Sequence, residues 1–163
     1  MNGTSRPEPG PRRESDSSAP TPDAMRLSLE LDFPSDVRYI ERIVDLVRCQ
    51  CAEFQYPGRV CTLNVPVALT EALANAILRG NREDPEKLVR VRAAINANVI
   101  VLEVQDEGAG FDVEAFQPDQ DGPSWLERED GRGLFLMRKL MDRVERVPTS
   151  VPGTVVRLTL HRP

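Results

Sequence analysis

The chain has 163 residues, 40% of them hydrophobic, enough for one packed domain plus a tail. A formal net charge of -5 and a pI near 5.0 argue against free nucleic acid as a partner, because neutralising phosphates takes clustered Lys and Arg in excess. Three cysteines, Cys49, Cys51 and Cys61, with one histidine, His161, near the opposite end, leave a zinc site short of its four ligands, and the cysteines are read as reduced thiols.

Residues 1–24 hold five prolines with Ser, Gly, Thr and mixed charge and almost no large apolar side chain, so they are expected to form a disordered tail before a single domain over 25–163. No stretch is read as reaching the roughly 20 apolar residues of a membrane span, and Met1 to Gly10 has no apolar secretory core, so no membrane partner and a cytoplasmic location are expected.

From Arg26 the pattern alternates, with Leu27, Leu29 and Leu31 on one face, which predicts a half-buried strand. Ser35 or Asp36 can cap a helix in which Val37, Ile40, Val44 and Val47 recur at helical spacing, ending before Pro57-Gly58. A second helix runs to Arg79 and closes at Gly80. Pro66 near its start places Asn64 as N-cap, or else kinks a longer helix. Leu88 to Ile95 and Val99 to Gln105 are β-branched runs joined by Asn96-Ala97-Asn98, a hairpin signal. A polar stretch from Asp112 to Asp130 follows, then a helix through Leu134, Met137, Leu140 and Met141, and strands around Val144 to Val147 and Thr154 to Leu160. Strands grouped consecutively, rather than alternating with helices, predict an α+β fold. Its architecture is a two-layer α/β sandwich whose mixed, mainly antiparallel sheet has helices on one face.

Glu71 and Asn75 lie four apart and so share a helix face, opposite Leu69, Leu73, Ala76 and Ile77. A carboxylate there can take a proton from a nucleophile, and an amide oxygen is a hard neutral ligand suited to Mg²⁺. By itself the pair also fits a solvated helix face. Asp106 leaves an apolar strand and enters Gly108 and Gly110, where a backbone without Cβ can approach a ligand and a buried carboxylate can accept a bond from an exocyclic amine. A surface turn fits those residues too. Gly131-Arg132-Gly133 just before Leu134 would present free N–H groups and a helix dipole to an anion, or serve as a hinge. Gly153-Thr154 adds a hydroxyl, or a simple turn.

The serial order is more specific than any of these parts. Glu-x-x-x-Asn on a helix, Asp-x-Gly-x-Gly after a strand, Gly-x-Gly opening a helix and a final Gly-Thr resemble the N box and the three glycine boxes of the GHKL (histidine-kinase-like) ATPases, over roughly residues 26 to 161. Thr-Glu-Ala-Leu-Ala-Asn-Ala-Ile at 70–77, Asp-Glu-Gly-Ala-Gly-Phe at 106–111 and Gly-Arg-Gly-Leu-Phe-Leu-Met at 131–137 look most like the bacterial anti-sigma serine/threonine kinases of the RsbW and SpoIIAB type.

The resemblance implies a Bergerat fold binding ATP and Mg²⁺. In it Glu71 is the general base and Asn75 the Mg²⁺ ligand, and Asp106 holds adenine. Gly108, Gly110, Gly131, Arg132, Gly133, Leu134 and Thr154 line the nucleotide, with residues 112–133 as a lid. It implies a sigma factor and an anti-anti-sigma (STAS-type) protein as partners, with Arg42 on the first helix as a candidate contact and a homodimer as a common arrangement. Arg79-Gly80 stands where many members have His-Gly or His-Ala, and Pro66 interrupts the helix before Glu71. A sensor histidine kinase would need a phosphoacceptor histidine on a dimerising helix pair. A P-loop enzyme would need Gly-x-x-x-x-Gly-Lys, which does not occur. Around Asp119 an EF-hand would put Gln117 and Arg128 at ligand positions. Two functions remain: a protein serine/threonine kinase acting as an anti-sigma factor, and a non-catalytic, nucleotide-gated binding protein that sequesters its partner.

Overall fold

A computed structural model describes residues 25–109 and 129–163. The expected tail, Gly110 and most of the expected lid lie outside the described residues.

The first strand, β1 (Arg26–Pro34), shows the expected alternation, with Phe33 buried and Arg26, Ser28, Glu30 and Asp32 on the outer face. Asp36 is the cap that follows, accepting the Arg38 N–H at 2.9 Å, and a 3₁₀ turn over Val37–Tyr39 leads into α1 (Ile40–Glu53). Val37, expected to face inward, is exposed because it belongs to that tighter turn, whose phase differs from the stripe of Ile43, Val44, Val47 and Cys51 that α1 buries.

The expectation of Asn64 as an N-cap is corrected. Asn64 has helical φ and ψ (-59° and -58°) inside a continuous helix, Val60–Gly80, and its Nδ2 donates to Leu140 O at 2.6 Å. The helix begins earlier because the Pro57 carbonyl accepts N–H groups from both Val60 and Cys61. Pro66 brings no N–H, and the helix absorbs this by a wide π turn, Val60–Asn64, in which Val65 N–H reaches back to Val60 O. Ordinary α geometry holds in α2 (Val65–Ala74), and a second π turn, Asn75–Gly80, ends the helix. Contrary to the sequence expectation, Val60–Gly80 is long and apolar enough to cross a membrane by length and composition; here Val65, Leu69, Leu73 and Ile77 on it are wholly buried in the core.

After a turn come β2 (Leu88–Asn96) and β3 (Val99–Gln105), whose hairpin is fastened by Asn96 Oδ1 accepting the N–H groups of Asn98 and Val99. Then follow α3 (Glu129–Leu140), β4 (Arg143–Val147) and β5 (Val155–His161). The sheet runs β1-β2-β3-β5-β4 and all four pairings are antiparallel. One face, with Val89, Val91, Ile95, Ile100, Leu102, Leu158 and Leu160, meets Val47 of α1, Leu69, Leu73 and Ile77 of the central helix and Met137 of α3. Each such side chain, fully buried, contributes about 1.5–3 kcal/mol, which holds the helical layer on the sheet.

The other face is charged. In register across the strands run Glu30, Arg92, Glu103, Arg157 and Glu145, with ion pairs of 2.9, 3.6, 2.6 and 3.6 Å between successive members. Arg90 makes a second, bidentate pair with Asp32 and holds that carboxyl below its usual range.

Cys49, Cys51 and Cys61 are free thiols. Burial, with Cys61 nearby, pushes Cys51 up to about 12, so it packs as a small apolar group.

Candidate functional site

The central helix brings the site residues together. Glu71 is half-buried on it, and Asn75, one turn on, is buried at 9% exposure where the helix changes from α to π winding. The helix is mostly apolar, and Glu71 and Asn75 stand one turn apart beside its buried residues Ala72, Leu73 and Ala76. This disposes of a solvated face for Asn75.

Gly131-Arg132-Gly133 was expected to precede a helix, but the glycines lie within the first turns of α3. Packing explains the difference: Gly131 and Gly133 are buried, and a Cβ at Gly133 would fall 2.5 Å from Glu71 Oε2. Glycine here lets α3 approach the central helix and leaves the Glu71 carboxylate against bare backbone. Leu134 is buried in the core behind it, and Arg132 is exposed.

At the other end of the helix sits Asp106, 1% exposed, just past β3. Its backbone N–H donates to Thr154 O at 3.0 Å, and its Oδ1 accepts the N–H groups of Gly108 and Thr154 at 2.9 and 3.3 Å. Burial raises its carboxyl above the usual carboxylate range, and those two N–H groups work against the rise. The carboxylate lies on Gly80, where a Cβ would come within 2.4 Å of Asp106 Cγ, and Gly108 lies on the same residue, its Cβ position 1.5 Å from Gly80 O. Gly153 packs from the far side with φ at +122°, a backbone only glycine adopts readily. Thr154 is wholly buried, and its Oγ1 has no hydrogen-bond partner among the described residues.

A buried carboxylate beside an orphaned hydroxyl, in a cradle that any side chain would fill, fits a planar ligand edge carrying both a donor and an acceptor. The adenine edge of ATP has that chemistry. Asn75, one neutral amide oxygen a helical turn from Glu71, suits a Mg²⁺ whose other ligands are water and phosphate. Among the described residues no three His, Cys, Asp or Glu side chains group to hold a metal ion alone.

A model of the histidine kinase-like ATPase domain matches residues 33–160, which covers the central helix, the Asp106 turn, α3 and nearly all of β5. The chain belongs to this family. Its similar proteins include the anti-sigma F factors of Halalkalibacterium halodurans, 37% identical over 99 residues, and of Heyndrickxia coagulans, 40% identical over 96 residues. The anti-sigma F factor of Bacillus subtilis (strain 168) is 33% identical over 99 residues. These stretches are 60%, 57% and 60% of the chain and 67%, 65% and 67% of the three relatives. Membership of an ATPase-domain family implies an ATP site. In the structure Gly133 packs on Glu71 of the central helix and Gly108 on Gly80 at its end, while Gly153 and Thr154 pack on Asp106.

In the sequence Gly80 reads as a helix stop and a family position with no site role, and nothing singles out Asn81, yet both touch the Asp106 turn. The signal available was a Gly-Asn pair closing an apolar helix, whose meaning depends on a contact 26 residues away. Gly110 lies outside the described residues. Arg42 is exposed on α1.

Proposed function

We propose that this domain is an ATP-dependent protein serine/threonine kinase that acts in the cytoplasm as an anti-sigma factor, phosphorylating an anti-anti-sigma protein of the STAS type and otherwise sequestering a sigma factor. The observation that carries the reading is Glu71, a half-buried carboxylate held against the bare backbone of Gly133 and one helical turn from Asn75. The names of the relatives supply the regulatory setting.

In this reading Asp106, Gly108 and Thr154 form the cradle for the adenine edge, Gly110 follows them along the nucleotide, and Gly131, Arg132, Gly133 and Leu134 line the phosphate side. Glu71 accepts the proton of a serine or threonine hydroxyl as its oxygen bonds to the γ-phosphorus. The bond from that phosphorus to the β,γ-bridging oxygen breaks, and ADP leaves. Asn75 would hold a Mg²⁺ ion, which when bound would supply positive charge against the phosphates. The phosphoryl acceptor lies on another protein: the sole histidine, His161, is engaged at the end of β5, its Nδ1 3.0 Å from Asp142 Oδ2. Arg42 is assigned to the partner surface on α1, and pairing into a homodimer belongs to the same proposal.

The test is transfer of label from [γ-³²P]ATP to a small antagonist protein encoded beside this chain. Transfer is expected from the native protein, with Glu71→Ala reducing it at least about a hundredfold while ATP binding persists. Tight ATP binding without transfer would instead identify a nucleotide-gated binding protein. Normal Mg-ATP binding by Asn75→Ala would refute the metal assignment.

A further inference from the structure

Asn81 is wholly buried at the end of the central helix, and its amide closes a ring of hydrogen bonds. Its Oδ1 accepts the Glu107 N–H at 2.8 Å, Glu107 Oε2 accepts the Leu88 N–H at 2.7 Å, and Leu88 O accepts an Asn81 Nδ2 proton at 2.9 Å. The second Nδ2 proton goes to Ser35 Oγ at 2.7 Å, and that hydroxyl donates to Lys87 O at 2.7 Å. Both amide donors and the amide oxygen are therefore engaged, with the oxygen on the peptide that directly follows Asp106. Residue 80, next to Asn81, is the surface on which the Asp106 carboxylate rests. The end of one helix thus sets both the floor under the carboxylate and the position of the peptide after it, while Thr154 holds the peptide before it.

We propose that Asn81 is a positioning residue for base selection: it fixes the height at which Asp106 meets the exocyclic group at the 6-position of a purine. The proposal rests on the reading of Asp106 as the adenine acceptor. A residue needed only to join β1, β2 and the helix would bond to those elements alone; Asn81 spends its one acceptor on the Asp106 turn. A Glu107 N–H released from it lets the turn shift, and a carboxylate moved by a few tenths of an ångström loses alignment with an amine but also repels a carbonyl less.

The experiment measures binding of Mg-ATP and of Mg-inosine triphosphate, which carries a carbonyl oxygen where ATP carries the amine. The native protein is expected to prefer ATP. Asn81→Ala lowers the ATP-to-inosine ratio about tenfold, the scale of one weakened hydrogen bond to a charged group, through loss of ATP affinity with inosine binding little changed. Ser35→Ala, which frees one amide proton of Asn81, shifts the ratio the same way by less. Thermal melting establishes that each variant is folded. A folded Asn81→Ala with the native ratio overturns the proposal; if that variant does not fold, a native ratio in Ser35→Ala does so. A native protein that binds both nucleotides equally overturns the reading of Asp106 itself, and the inference with it.

Discussion

Gly108 and Gly133 both sit in glycine pairs, yet a methyl group would meet different matter at each. At Gly108 it would land 1.5 Å from the Gly80 carbonyl oxygen, which belongs to the helix backbone and cannot move alone. At Gly133 it would meet Glu71 Oε2, the free end of a flexible side chain. Gly108→Ala is therefore expected to destabilise the fold by about 3 kcal/mol or more, measured by urea unfolding. Gly133→Ala should leave stability within roughly 1 kcal/mol, since alanine favours the helix that the displaced carboxylate disturbs. Its phosphoryl transfer should fall about a hundredfold, because Glu71 is moved from its station. A Gly133→Ala protein with native transfer would show that the carboxylate need not stand there. Glu71, Asn75, Asp106 and Thr154 are singled out in the sequence by the serial order of their motifs, each of which alone also fits a solvated face or a turn. Asn81 and the role of Gly80 are not, because each acts through a neighbour brought up by the fold.

At the level of elements, the strands are the most legible part: period-two alternation marks β1 and runs of β-branched residues mark β2 and β3, local patterns that the sheet then uses unchanged. The helix boundaries are less so: the start of the central helix depends on two π turns around Pro66 and Asn75, and the start of α3 on how closely glycine lets it pack. The charged row on the outer face escapes a reading of single strands, for it exists only in register across all five. Glu103 is its centre, its side chain 18% exposed between Arg92 and Arg157. Glu103→Gln should cost about 1 kcal/mol at low salt, because two guanidinium groups are left facing each other with no anion between. In about 1 M salt, where screening acts within roughly 3 Å, most of that cost should vanish. Urea midpoints at both salt levels check this, and an equal loss at both would mean that packing, not charge, sets the role of Glu103.

Across the whole molecule, site and stability are in opposition at Asp106. Its carboxyl is held above the ordinary value of 3.8 chiefly by burial. Between the unfolded value and the raised folded value the native protein binds more protons than the unfolded chain, so stability falls as pH rises through that window and stays lowered above it. Asp106→Asn removes the titration: the variant should gain stability relative to the native protein as pH rises from about 3 to 7, with nothing gained below the window. The same change places amide protons where an exocyclic amine needs an acceptor. Native protein with Mg-ATP at about a hundred times its Kd should gain about 2.7 kcal/mol, a rise in Tm of roughly 5–10 °C for a domain of this size. Asp106→Asn should lose most of that rise despite its higher starting Tm. Melting curves with and without nucleotide, taken at pH 4 and pH 7, separate the two effects. A variant that keeps the full nucleotide shift would free Asp106 from any part in binding the base, and one no more stable than native at pH 7 would mean that the Gly108 and Thr154 N–H groups offset its burial completely.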